Sequence, residues 1–198
     1  MTVQDLLLSL LPRLDGSTGV NIIQAANAAV RSIGKELAYR RSDLIRQTVS
    51  FNFPAGKRIG LPVEFLGFSE DPYLLSGNTK IELTPLLPGE RADKDKIGTP
   101  QKYELVGAQL YLFPYPDATV TVKGIGFWLP ESLYSLTDEL PWENMMDELL
   151  TEAVFRISSE GLNHAVDPVF RAFIKQELEQ MLSVRTGARP RRASGFHY

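Results

Sequence analysis

The spacing of apolar residues changes twice along this chain, and those two changes restrict the architectures open to it. Near the N-terminus Ile22, Ala26, Val30, Ile33 and Leu37 recur every three or four residues, the period of a helix with one buried face. From Thr48 the pattern alternates, as in Val49-Ser50-Phe51-Asn52-Phe53, the period of a half-buried strand. After Asp138 the helical interval returns, first through Trp142, Met145, Met146, Leu149, Ala153, Val154 and Ile157. It continues through Phe170, Phe173, Ile174, Leu178, Met181 and Leu182. Helices at both ends with strands between them predict an α+β fold. In that fold the terminal helices form a helical bundle and the centre is an antiparallel β insertion, either a small sheet or a sandwich. The expected divisions are 1–47 and 138–184 for the helical body, 48–137 for the β insertion and 185–198 for an extended C-terminal arm.

Local signals place the ends of these elements. Thr2 followed by Asp5 has the form of a capping box, and Pro12 closes the short helical run Val3 to Leu11. Asp15-Gly16-Ser17-Thr18-Gly19 reads as the loop before the second helix, whose Ala25, Ala26, Ala28 and Ala29 keep one side slim. Strand-like segments follow at Ile59 to Phe68, Thr79 to Leu83, Gln101 to Val106, Gln109 to Phe113 and Thr119 to Phe127. Gly107-Ala108 is the expected hairpin turn, and Pro114, Pro116 and Asp117 form the next one. Ser69 to Pro72 with Gly77-Asn78, and the mixed-charge run from Pro88 to Gly98, read as solvated loops. Pro141 suits a first helical turn, with Glu143 and Asp147 at the positive end of the dipole. Gly161 is the expected stop, and Asp167-Pro168 is a cap followed by a first-turn proline.

Composition narrows the class. The chain of 198 residues, 43% hydrophobic and 23% charged, is in the range of globular proteins that fold around one core or a core with an insertion. With no cysteine there is no disulfide framework and no thiolate metal site, which fits a reducing cytoplasm. The run Leu6 to Leu11 is too short to span a bilayer and lacks the flanks of a signal peptide. The formal net charge of −3 argues against a nucleic-acid coat, but it is unevenly distributed. From Arg185 onward there are Arg185, Arg189, Arg191 and Arg192 and no acid.

No residue pattern points to catalysis. His164 and His197 lie outside any ligand spacing, and there is no phosphate-binding loop; Gly124-x-Gly126 sits in a strand-like stretch with no helix after it. No nucleophile elbow occurs. Glu131, Asp138 and Glu139 are read as caps rather than a carboxylate pair, and Tyr111, Phe113, Tyr115, Phe127 and Trp128 as the filled face of a sheet. The expectation is a non-enzymatic chain with no catalytic, metal-binding or cofactor-binding residues.

One stretch does carry a resemblance. Thr99-Pro100-Gln101-Lys102-Tyr103-Glu104-Leu105 leads to Leu110-Tyr111-Leu112-Phe113-Pro114-Tyr115-Pro116-Asp117, then Phe127-Trp128-Leu129-Pro130 and Leu136-Thr137-Asp138-Glu139-Leu140-Pro141. In order and spacing this resembles the head-to-tail adaptor (connector) proteins of tailed bacteriophages, as do the chain length and the helix–helix–β–helix–helix order. The resemblance implies a virion structural protein of the neck or tail region, made in the cytoplasm of a bacterial host. It would form a ring of neighbouring adaptor subunits, a dodecamer, between the portal protein and a downstream tail or nozzle protein. DNA would pass through the lumen without sequence-specific binding, and no membrane would be involved. The resemblance also implies that the C-terminal arm runs onto the portal. The residue types of the arm make Arg185, Arg189, Arg191, Arg192, Phe196 and Tyr198 its expected contact residues, the guanidinium groups meeting carboxylates or carbonyls and the two rings entering apolar pockets. The alternative expectation is a tail-associated module on the β region that binds or hydrolyses glycans. A further reading has the basic tail gripping phosphate while Phe196 and Tyr198 stack on bases.

Overall fold

The computed structural model describes residues 1–14, 21–56, 58–76, 79–87, 96–142 and 146–186. The fold is mixed α+β, and the described residues form four α-helices and two sheets, antiparallel but for one two-residue parallel pairing. The chain divides into two compact units: Met1–Glu36 with Ser132–Tyr198, and Leu37–Glu131. The division falls inside the second helix and just before the segment that returns to the helices, against expected divisions at 47/48 and 137/138.

In the helical unit, α1 (Val3–Leu10) begins at the expected capping box. The Thr2 hydroxyl accepts from the Asp5 amide at 3.1 Å, and the Asp5 carboxylate accepts from the Thr2 amide at 2.8 Å. Val3, Leu6 and Leu10 are buried at the three- and four-residue spacing that defines one helix face. The chain start is also tied to the returning segment, since the Val3 amide donates to the Asp138 carbonyl and the Gln4 amide to the Leu136 carbonyl. In α2 (Ile22–Tyr39) the stripe read from sequence buries Ala26, Val30, Ile33 and Leu37. Asn27 on the same helix grips Leu133 with two 2.8 Å bonds, donating to its carbonyl and accepting from its amide. The loop expected at Asp15 to Gly19 lies outside the described residues.

The penultimate helix starts later than its apolar stripe implies. α3 runs Asp147–Glu160, and Pro141 and Trp142 form a turn ahead of it. Trp142 has φ +69°, a left-handed value that cannot continue a right-handed helix, so a stripe beginning at Trp142 overshoots the real start. Glu143 and Met145 lie outside the described residues. Leu149, Leu150, Ala153, Val154 and Ile157 are buried, and Gly161 ends the helix as expected. After a short 3-10 turn (Leu162–Val166), α4 (Pro168–Thr186) opens on the Asp167 cap, whose carboxylate accepts from the Val169 amide at 2.7 Å. Phe170, Ile174 and Leu178 form its buried row. The helix extends two residues past Val184, so Arg185 is helical and not the start of an extended arm.

The second unit contains the strands. One sheet pairs β1 (Arg46–Phe53) with β9 (Val120–Trp128), and β9 in turn with β3 (Phe65–Phe68) and β4 (Tyr73–Ser76), which pairs β5 (Thr79–Glu82). The other has the order β2 (Arg58–Gly60), β8 (Gln109–Phe113), β7 (Lys102–Val106), β6 (Thr84–Pro85). The stretch Ile59 to Phe68 thus forms two strands in different sheets, and β4 arises between the loop expected at Ser69 to Pro72 and Gly77-Asn78, where no strand was expected. β4 holds its place because Leu74 is buried and the strand is bonded on both sides, to β5 and β9. The β7–β8 hairpin turns at Gly107-Ala108 as expected, with Gly107 at φ +58° where a side chain would be strained. Val49, Phe53, Leu61, Phe65, Leu74, Leu83, Leu110, Leu112 and Val122 form a core that draws on both sheets. Gly126 permits the closest approach, since a Cβ there would sit 2.5 Å from the Phe65 ring.

Candidate interaction surfaces

In the helical unit α3 and α4 leave an open groove between them. It holds about 490 Å³ and is lined by Glu148, Leu149, Glu152 and Arg156 of α3 and by Phe173, Glu177 and Met181 of α4. On each helix the lining follows the helical repeat: 148, 149, 152 and 156 on one, 173, 177 and 181 on the other. Leu149, Phe173 and Met181 give it an apolar share, and three carboxylates and one guanidinium make the rest of its lining polar.

One side of the groove is fixed by a charge cluster. Glu152 takes a 2.8 Å bond from Arg13 and a 3.0 Å bond from Arg156, one turn further along α3. Each guanidinium also lies over an aromatic ring, Arg13 over Phe155 at 3.9 Å and Arg156 over Phe173 at 3.8 Å. Partial burial works against the charge on Glu152, but the two arginines outweigh it and hold its carboxyl below the usual range. Glu148 and Glu177 form no ion pair with any described residue. The groove therefore combines an immobilised ion cluster with two uncommitted carboxylates.

Among the described residues the unit also exposes apolar side chains in three places, one of them Tyr134 and Leu136 in the segment that returns toward α3. Leu8 and Leu11 stand out from α1 at more than half their full area. Val166 and Val169 do so around the α3–α4 connection, and Leu162 there is exposed to a lesser degree.

The residues singled out from sequence fare differently. Arg185 lies in the last turn of α4, while Arg189, Arg191, Arg192, Phe196 and Tyr198 lie outside the described residues. Asp138 caps a turn rather than a helix, accepting from the Tyr134 and Ser135 amides and the Ser135 hydroxyl. The Ser135 hydroxyl and the two amides hold its carboxyl below the usual range. Glu131 and Glu139 are exposed. His164 meets Glu160 at 2.8 Å and packs edge-on against Phe170, a structural setting. Asp117 is exposed, and it forms no hydrogen bond with the turn it was expected to brace.

The aromatic residues of the β unit are largely enclosed. Phe113, Tyr115 and Phe127 are buried. Trp128 stacks on Phe51 and joins a cluster with Phe65, Phe68 and Tyr103 whose other contacts are edge to face, with neighbouring ring centroids 5.1–6.5 Å apart. Burial, then the neighbouring Asp71, push the Tyr103 hydroxyl up. Among the described residues there is no group of three His, Cys, Asp or Glu placed to hold a metal, and no helix long and apolar enough to cross a membrane.

Arg13, Glu148, Glu152, Arg156 and Glu177 were not singled out from sequence. The four-residue spacing of Glu148, Glu152 and Arg156 was visible, but such spacing is common on solvated helix faces. Only the pairing of α3 with α4 turns it into one wall of a groove. No protein family model matches the chain, and no curated protein matches it.

Proposed function

We propose that this chain is a head-to-tail adaptor subunit of a tailed bacteriophage, part of a ring that joins the portal to the tail and continues the DNA channel. The observation that carries the reading is the exposed apolar surface of the helical unit, which includes side chains both at α1 and at the α3–α4 connection. A closed ring with head-to-tail contacts needs two different complementary faces on each subunit. Leu8 and Leu11 on α1 supply apolar surface for one, and Leu162, Val166 and Val169 for the other. Contiguous exposed apolar patches mark protein contacts, and on this reading these side chains belong to two such patches. The ordered motifs from Thr99 to Pro141 lend further support, since they fall on β7, β8, β9 and the turn at Asp138 that leads toward α3.

On this reading the terminal helices pack as a bundle beside their counterparts in the ring, and the β unit meets the neighbouring tail component. Residues 187–198 extend from the end of α4 as the portal-binding arm, with Arg189, Arg191, Arg192, Phe196 and Tyr198 making contact. The free chain is monomeric or weakly associated, and the portal serves as the template for ring closure. Negative-stain imaging of the chain mixed with portal should reveal an added ring. Leu11→Glu, on an exposed face of α1, should leave the fold intact and prevent that ring. Portal particles that gain no density at saturating chain would overturn the reading, as would rings that form normally with Leu11→Glu.

A further inference from the structure

The groove between α3 and α4 has a mixed polar and apolar lining, including two carboxylates that pair with no described residue. The chemistry that fits is a narrow extended segment bearing cations, because guanidinium groups on it would meet the two carboxylates that lack a described partner. The chain itself carries such a segment immediately after α4. Residues 187–198 read Gly-Ala-Arg-Pro-Arg-Arg-Ala-Ser-Gly-Phe-His-Tyr, with three arginines and no acid.

We infer that the α3–α4 groove is a binding site for residues 187–198 of the same chain, with Arg189, Arg191 and Arg192 set against Glu148 and Glu177. Gly187 directly follows the last helical residue, where a glycine most readily lets the chain reverse direction. A segment folding back along α4 advances about 3.3 Å per residue, whereas the helix beside it advances about 1.5 Å per residue. Arg189 then lies about 10 Å back from Thr186, close to Met181 at about 8 Å. Arg191 lies about 17 Å back, between Glu177 at about 14 Å and Phe173 at about 20 Å, and Arg192 about 20 Å back, beside Phe173. The register thus brings the arginines alongside the groove without adjustment. It carries Phe196, about 33 Å back, well past the lining residues.

Docking within one chain is favoured over docking on another copy. A short tether holds the segment at an effective concentration in the millimolar range, above any working concentration of the free protein. The site does not depend on the portal reading. Where both hold, the groove shelters the arginines until the portal competes for the segment, while Phe196 and Tyr198 remain available to begin that exchange.

Paramagnetic NMR on the full chain tests the inference. The protein has no cysteine, so Ala193→Cys takes a single spin label beside the arginines. Amide signals of Glu148 to Arg156 should broaden at micromolar concentration, and the broadening should disappear in Glu148→Gln/Glu177→Gln and in 0.5 M salt. Trypsin cleavage after Arg191 and Arg192 should be at least fivefold faster in the double variant than in the parent chain. Absence of broadening, or broadening that survives the double variant, overturns the proposal. So does broadening seen only when a labelled chain is mixed with an isotopically enriched second chain, which would place the segment on another copy. The double variant should still add a ring to portal, so loss of the groove site and loss of the portal reading give different outcomes.

Discussion

The helical unit and the β unit reach stability by different routes, and the difference shows where open surface is left. In the β unit polar backbone groups are spent in ladders, and the large rings turn inward: Phe51, Phe65, Phe68, Tyr103 and Trp128 interlock edge to face. In the helical unit each helix satisfies its own backbone and buries one row of residues, such as Phe170, Ile174 and Leu178, leaving the remaining faces free to shape a groove. The region richest in aromatics is therefore the more closed of the two. The chemically open concavity is lined by glutamates, one arginine and only one ring, Phe173.

The most severe test of that contrast removes one core residue from each unit. Phe170 and Phe53 are both fully buried, and Phe170→Ala and Phe53→Ala should each cost about 3–5 kcal/mol in urea unfolding. A cost below about 1.5 kcal/mol for either would mean that its core closes over the gap.

A smaller effect should be confined to the β unit. Gly126→Ala places a methyl group 2.5 Å from Phe65, against ring and strand backbone, and should cost about 1–3 kcal/mol through overpacking. Restoring room with Phe65→Leu in the same chain should recover part of that loss. If the two costs simply add, Phe65 is not what Gly126 accommodates.

Next in size come the polar caps of the helical unit. Thr2→Ala removes the hydroxyl that accepts from the Asp5 amide, and should cost about 1 kcal/mol. The same unit should carry the acid sensitivity. Asp5, Asp138 and Glu152 are the carboxyls held below their usual range among the described residues, and all three belong to it. A carboxyl depressed in the folded state contributes stability that is complete above its unfolded value, about 4, and lost as pH falls through the folded value. Stability should thus decline below about pH 4, and Asp138→Asn should flatten that decline in pH-dependent urea unfolding. An unchanged acid limb would move the sensitivity to other groups.

The smallest effect returns to the β unit. Asp117 is exposed and forms no bond with its turn, so Asp117→Ala should change stability by less than about 0.5 kcal/mol. A larger loss would mean that the turn after β8 depends on its aspartate as the helical unit depends on Asp138.

Much of the fold was legible where a local rule and the buried pattern agree. The capping box at Thr2, the α2 stripe, the Gly107-Ala108 hairpin, the stop at Gly161 and the Asp167-Pro168 start each rest on bonds within a few residues, so neighbouring sequence encodes them. Other elements were decided by partners far away in sequence. β4 exists because β5 and β9 flank it, and Phe65 and Ile59 separate into different sheets although only six positions apart. Trp142 fits an apolar helical stripe, but its backbone turns left-handed before α3 begins. The groove is the clearest case. Glu148, Glu152 and Arg156 carry only a helix-surface spacing, as do Phe173, Glu177 and Met181. The sequence by itself determined which face of each helix is apolar, through a period written into neighbouring residues. Which two charged faces would meet, and leave two carboxylates unpaired between them, was set only when α3 and α4 packed, because that contact depends on a reversal at Gly161 and on burial that no single helix can specify.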